Sequence, residues 1–228
     1  MNATPAPVIF IPALLCDEAM YRDTIADLGD AISAQVMLSP KPDLGDSVAD
    51  ILSRAPARFA LVGTSYGGNL ALEVALAAPQ RVTALWLMGC NAAPAQPGGP
   101  DLAAALDASP DSVIERLSGM VVRKEDTAAA ATFKAMAQRV GGPAGAAQAR
   151  AAATRPDASA RLGMLTMPTL LVWGEEDALS PLAYGQALAS GLPYARLEVI
   201  EQCGHLPTLE KPVECAALFG ELLNRVAS

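Results

Sequence analysis

The chain has 228 residues, a formal net charge of −8 and 52% hydrophobic residues. Its 18% charged residues leave enough apolar sequence for a folded core, and the excess of 24 Asp and Glu over 16 Lys and Arg, with no basic cluster, argues against a nucleic-acid partner. The single histidine, His205, excludes a metal site built on several imidazoles and confines any imidazole chemistry to one place.

Taken in chain order, Val8–Ile11 is a β-branched and aromatic run stopped by Pro12, and is expected as a buried strand. Leu14–Asp17 follows as a loop. Glu18–Leu28 has apolar residues at 21, 25 and 28 and predicts a helix. Ala31–Leu38 predicts a second strand, closed by Ser39-Pro40. Asp46–Ala55 has helical spacing, and Phe59–Val62 predicts the third strand. Gly63–Gly68 interrupts it sharply, and Asn69–Ala78 predicts a helix ended by Pro79. Ala84–Met88, Leu170–Trp173 and Arg196–Ile200 predict three more strands. Leu182–Leu192 and Val213–Val226 are expected as helices between and after the last two. Strands alternating with helices predict an α/β fold: an open, doubly wound, mostly parallel six-stranded sheet.

The rhythm changes between 91 and 165. Ala92–Pro100 is a Pro/Gly/Ala loop. Helices are expected from Ser109, over Asp126–Arg139 and over Ala144–Ala153, with a break at Gly141-Gly142-Pro143. Residues 92–165 therefore predict a helical cap insertion in a core of residues 1–91 and 166–228.

Val8–Cys16 is too short an apolar run for a membrane span, and no basic segment precedes it. A soluble cytoplasmic protein with no membrane insertion is expected. Cys16, Cys90, Cys203 and Cys215 are widely spaced and are expected as free thiols. Cys203 and His205 could form a ligand pair, but no further ligands stand at recognisable spacing, so no metal is expected.

The chemistry centres on Gly63-Thr64-Ser65-Tyr66-Gly67, between a strand and a helix. This context fits a nucleophile elbow, where small residues two before and two after the serine allow close strand–helix approach. A dinucleotide fingerprint would need glycine at 65, and a Walker loop would need a Gly-Lys-Ser/Thr ending. An ordinary glycine-rich turn is the remaining alternative. A serine hydroxyl needs a general base. His205 lies past the last expected strand in Cys203-Gly204-His205-Leu206-Pro207, at the edge where α/β sheets place ligands. The base needs an acid to fix its tautomer, and Asp177 lies just past Leu170–Trp173, with Glu175 and Glu176 as rivals. An oxyanion hole needs two backbone N–H groups, expected from Tyr66 and from Leu14 in the loop after the first strand. Cys16 is in that loop but has no assigned base, and is expected as a small buried hydrophobe.

These motifs resemble the α/β-hydrolase fold superfamily, in particular its small bacterial serine hydrolases with a short helical cap. The resemblance is carried by Ile11–Asp17, Gly63–Gly68, Pro168–Asp177 with Pro181, and Gly204–Pro212. Arg155-Pro156-Asp157 resembles an Arg-x-Asp element of some members. Pro12-Ala13 stands where many members carry His-Gly, and strands that usually precede the one at Val8 are missing, which implies the reduced six-stranded core. The resemblance implies Ser65, Asp177 and His205 as catalytic residues, no cofactor, and a small-molecule acyl substrate. The expected activity is hydrolysis of small to medium carboxylic esters through an acyl-enzyme on Ser65. An acyltransferase, thioesterase, C–C bond hydrolase, lactonase, aminopeptidase or non-enzymatic ligand-binding member are the alternatives. Leu15, Met120, Val121, Phe133, Met136 and Leu206 are expected to line the pocket. An aminopeptidase would need acids such as Glu115, Glu125 or Asp126 to hold an amine. A monomer or a homodimer is expected.

Overall fold

The computed structural model describes residues 5–95, 98 and 101–227. Six strands, β1 (Ala6–Ile11), β2 (Ile32–Val36), β3 (Phe59–Thr64), β4 (Val82–Met88), β5 (Thr169–Gly174) and β6 (Ala195–Ile200), form one sheet in the order β2-β1-β3-β4-β5-β6. All five pairings are parallel. The helices are α1 (Arg22–Leu28), α2 (Leu44–Arg54), α3 (Tyr66–Ala77), α4 (Leu102–Ala108), α5 (Pro110–Ser118), α6 (Thr127–Ala153), α7 (Leu182–Gly191), α8 (Pro207–Glu210) and α9 (Pro212–Ala227).

Side chains on a strand alternate between faces, so the central strands feed two cores. Val8, Phe10, Val62, Trp86 and Val172 join Phe219 of α9 on one face. There the Trp86 and Phe219 rings stack with centroids 4.8 Å apart. Ile9, Ile11, Leu61, Leu85 and Leu171 join Leu70 and Val74 of α3 on the other. Coverage on both faces explains why β3 and β5 are apolar without alternation. Edge strand β2 buries only its first residue fully.

The chain leaves β1 for β2 on one side and returns to β3 on the other. That reversal opens a crevice at the carboxyl ends of β1 and β3, where open α/β sheets bind ligands.

The expected helix over Glu18–Leu28 is split into a 3-10 turn at Glu18–Met20 and α1. The Asp17 carboxylate accepts the Ala19 N–H at 3.0 Å and starts the turn. Tyr21 then breaks it, because its hydroxyl is drawn under the sheet edge to Ile11 O at 2.9 Å and Thr64 Oγ1 at 2.9 Å. Helix α3 begins three residues earlier than its apolar pattern suggests, since the turn after β3 needs only Ser65. Helix α4 and a 3-10 turn at Ser159–Met164 were not apparent from the sequence, being too short for a clear period.

Helices α4, α5 and α6 form the cap between β4 and β5. Gly141 breaks α6 as its sequence suggests, with φ of 79° inside the helix. Of the expected loop at Ala92–Pro100, residues 96, 97, 99 and 100 lie outside the described residues, as do residues 1–4 and 228 of the expected core. Among the described residues no helix is long and apolar enough to cross a membrane.

Candidate active site

Ser65 occupies the turn from β3 into α3 with φ of 56° and ψ of −121°. This left-handed region is costly for a residue with a Cβ, and is held by its surroundings. Ser65 N–H donates to Met88 O at 2.8 Å. The two flanking glycines make the approach possible. A Cβ on Gly63 would collide with the Gly67 carbonyl, and one on Gly67 would collide with the carbonyls of Ile11 and Pro12. The first turn of α3 is thereby pressed onto the end of β1. Ser65 Oγ makes no hydrogen bond to another described residue, so the hydroxyl is free.

His205 lies after β6 and Asp177 after β5. His205 Nδ1 is 2.8 Å from Asp177 Oδ2, and both side chains are buried. The other carboxylate oxygen, Oδ1, accepts the N–H groups of Leu179 at 2.9 Å and Ser180 at 2.8 Å. Those amides fix the carboxylate so that Oδ2 is left for the imidazole. Of the three neighbouring acids, Asp177 is the one on His205; Glu176 pairs with Arg123 at 3.0 Å. Behind the ring, Gly89 leaves no room for a side chain. Ser180 Oγ donates to Gly89 O at 2.7 Å and ties this residue to the Asp177 loop. The histidine loop is anchored by Glu210, whose carboxylate accepts the Gly204 N–H at 3.0 Å and the Arg123 N–H at 2.9 Å. Burial pushes the Glu210 carboxyl above its ordinary range, against the pull of those amides.

Ser65 and His205 open into one cavity of about 330 Å³. Leu14, Tyr66, Val121, Phe133 and Leu206 line it, together with Asn69, Asn91 and Arg155, which the sequence did not single out as pocket residues. Three expected pocket residues lie elsewhere. Leu15 is fully buried with φ of 63°, and its side chain turns into the cap against Gly145. Met136 is fully buried in the cap core. Met120 follows the end of α5 and is 42% exposed to solvent. Tertiary packing of the cap decides these positions, and helical spacing does not encode it.

The backbone N–H groups of Leu14 and Tyr66 have no acceptor among the described residues, and both residues face the cavity. Their neighbours are committed. Ala13 N–H points to Met20 Sδ at 3.5 Å, and Leu15 N–H donates to Gln148 Oε1 at 3.0 Å. Gln148 belongs to α6 and is buried. Arg139, also of α6, holds Asp17 through Nε at 2.7 Å and Nη2 at 3.0 Å. The cap thus fixes the shape of the loop after β1.

All four cysteines are free and buried. Burial pushes the Cys16 thiol well above its usual range, which leaves it unsuited as a nucleophile. Cys203 is likewise pushed up by burial. Among the described residues no group of three His, Cys, Asp or Glu is placed to hold a metal ion. Glu115 pairs with Lys134, Glu125 lies 3.6 Å from Arg123, and Asp126 caps α6 at Ala129 N–H. None of these three acids lines the cavity.

The parallel sheet with helices on both faces places the chain among α/β folds, and the chain belongs to the alpha/beta hydrolase family, whose model matches residues 16–218. A 2-hydroxy-6-oxononadienedioate/2-hydroxy-6-oxononatrienedioate hydrolase of Cupriavidus pinatubonensis is 32% identical over 166 residues, covering 65% of this chain and 56% of that protein. The chain therefore matches little more than half the length of that relative. A pimeloyl-[acyl-carrier protein] methyl ester esterase of Nitrosomonas europaea is 28% identical over 213 residues, covering 85% of this chain and 81% of that one. Among solved structures, a thermophilic esterase from Thermogutta terrifontis superposes with a TM-score of 0.87 at 23% identity, covering 99% of this chain and 92% of that one. The enol-lactonase from Burkholderia xenovorans LB400 superposes with a TM-score of 0.86 at 15% identity, covering 98% and 93%. These structural likenesses establish the shared fold.

Proposed function

We propose that the chain is a serine hydrolase that cleaves small to medium carboxylic esters through an acyl-enzyme on Ser65. The observation that carries this reading is the His205–Asp177 contact at 2.8 Å beside a cavity that also holds Ser65 on its strained turn. His205 takes the Ser65 proton as Oγ attacks the ester carbonyl. The N–H groups of Tyr66 and Leu14 receive the negative charge that develops on the carbonyl oxygen. His205 then returns the proton to the departing alcohol and activates water to release the acid. Asp177 accepts from Nδ1–H, fixing the tautomer and stabilising the charged ring. Residues 92–165 act as the cap that shapes the pocket over a core of residues 1–91 and 166–228.

A second reading is favoured by the Cupriavidus relative. A 2-hydroxy-6-oxo-dienedioate carries a ketone and no ester, so its hydrolysis breaks a carbon–carbon bond. The same serine, imidazole and amides suit attack on either carbonyl. An aminopeptidase is disfavoured, because Glu115, Glu125 and Asp126 are engaged away from the cavity.

A fluorophosphonate probe tests the proposal. Labelling of the folded protein, lost in Ser65→Ala and impaired in His205→Ala, supports it. Folded protein that a small probe never labels overturns it. Turnover of p-nitrophenyl esters of rising chain length, measured beside a vinylogous 1,5-diketone, then separates the ester reading from the carbon–carbon one. Preference for thioesters, or for an acceptor alcohol over water, would replace the ester hydrolase with a thioesterase or acyltransferase.

A further inference from the structure

Arg155 follows α6 and stands in the wall of the cavity that holds Ser65. Its side chain is half-buried. Nε donates to Ala93 O at 2.8 Å and Nη2 to Pro94 O at 3.4 Å. These carbonyls orient the guanidinium and leave its charge uncancelled. Arg150 and Arg161 nearby each pair with an acid, Asp107 and Glu73 respectively. Arg155 has no carboxylate within ion-pair distance among the described residues. The four residues outside them in the adjoining loop are Gln96, Pro97, Gly99 and Pro100, none of them acidic. Burial draws the guanidinium below its usual range, which marks a cation short of compensation.

Two amides share the same wall. Asn91 N–H donates to Asn69 Oδ1 at 3.1 Å, which fixes Asn69. The Asn91 side chain makes no hydrogen bond to another described residue, and its Oδ1 is sealed from solvent. Asn91 itself lines the cavity, which leaves the NH₂ end of its amide to meet a ligand. Among the described residues no Asp or Glu lines this cavity. An outer cavity shares Leu14, Leu102, Ala152 and Arg155 with it and carries Asp101 and Asp107. Asp107 is taken by Arg150, and Asp101 caps α4 through the Ala104 N–H at 2.9 Å.

A half-buried cation without a counter-ion is costly, and an anion that enters with the substrate relieves that cost. We propose that Arg155, with the Asn91 amide, forms a subsite for a carboxylate carried by the substrate. The preferred substrates are then monoesters of short dicarboxylic acids, or lactones and ketones that bear a free carboxylate. This rests on the serine-hydrolase reading above and narrows it. For a methyl monoester, water adds across the acyl–oxygen bond, giving the dicarboxylate, methanol and one released proton.

The test compares kcat/KM for methyl hydrogen adipate with that for neutral methyl hexanoate. A charge-assisted hydrogen bond predicts a preference for the acid ester of about 10- to 100-fold in the wild type. In Arg155→Met the ratio falls to about one, chiefly through KM, and Arg155→Lys retains part of it. A merely structural arginine would lower both rates and leave the ratio unchanged, and that result overturns the subsite. So does a wild type with no preference for any acid ester across the succinate to pimelate series. Calorimetry of Ser65→Ala with methyl hydrogen adipate reads binding without turnover. Saturable binding that weakens at least about 10-fold on adding Arg155→Met supports the subsite; no binding, or binding indifferent to Arg155, refutes it. Wild type that turns over neither ester and takes no fluorophosphonate fails the hydrolase reading, and the calorimetry then decides the subsite on its own.

Discussion

Gly89 directly follows β4, and its backbone lies against the His205 ring with φ of +56°. A Cβ added there would lie 2.8 Å from His205 Cε1 and 3.0 Å from Nδ1. Carbon atoms in contact rest at about 3.5–4.0 Å, so in Gly89→Ala the ring must retreat by about 0.7 Å or more. It cannot do so freely, because Nδ1 is held 2.8 Å from Asp177 Oδ2 and the ring is buried. A displacement near 1 Å costs about 100-fold in rate when it misplaces a reacting group. The left-handed backbone adds about 1–2 kcal/mol of destabilisation, which corresponds to a fall in Tm of about 2–8 °C. The assay is the rate of fluorophosphonate labelling, with circular dichroism to confirm folding at the working temperature. A folded Gly89→Ala that labels within about threefold of wild type would refute the argument, since the ring would then have slack that the packing denies it.

Three further outcomes follow from contacts around the site. Asp177→Asn keeps an oxygen for the Leu179 and Ser180 amides but offers NH₂ to His205 Nδ1, which favours the wrong tautomer; ester turnover should drop by about 10⁴-fold with little loss of Tm, and near-normal turnover would contradict the assignment. Gln148→Leu strands the buried Leu15 N–H, at a cost of about 1–3 kcal/mol, so thermal unfolding should shift down by about 2–12 °C and labelling of Ser65 should slow; an unchanged melting curve would show that the loop finds another acceptor. Burial raises the Glu210 carboxyl in the folded state above its ordinary value of 4.5, so the folded chain holds that proton more tightly than the unfolded chain. Its contribution to stability is present below about 4.5 and is lost as pH rises through the folded value, and Glu210→Gln should remove that component from a Tm–pH profile; superimposable slopes in the two proteins would count against it.

The positions of Ser65, Asp177 and His205 were legible in the sequence because each sits in a short segment past the carboxyl end of a strand. A two-residue frame of glycines around Ser65 and a chain order of serine, aspartate and histidine are local signals. The central strands were legible because burial on both faces leaves an uninterrupted apolar run, whereas the edge strands β2 and β6 are exposed along part of their length and carry a weaker pattern. The cavity wall was not legible. Phe133 and Met136 are three apart on one helix and chemically alike, yet Phe133 reaches the cavity and Met136 stays in the cap core. Leu15 follows a residue that lines the cavity, yet its left-handed backbone turns it into the cap. Arg155 was visible as part of an Arg-Pro-Asp element, but only its partners Ala93 and Pro94, some sixty residues away, reveal where its guanidinium is held. Helical or strand period reports which face is apolar; it does not report which neighbour that face meets.

The anchoring of the loop after β1 also bears on how the protein reaches its working form. The Asp17–Arg139 pair joins residues 122 apart, and the Leu15–Gln148 bond joins residues 133 apart. Contacts of such separation close large loops of chain and form late, after local helices and neighbouring strands. The Leu14 N–H therefore acquires its setting only once α6 has docked. During refolding, regain of secondary structure should run ahead of regain of labelling at Ser65, and the interval between the two would time the arrival of the cap.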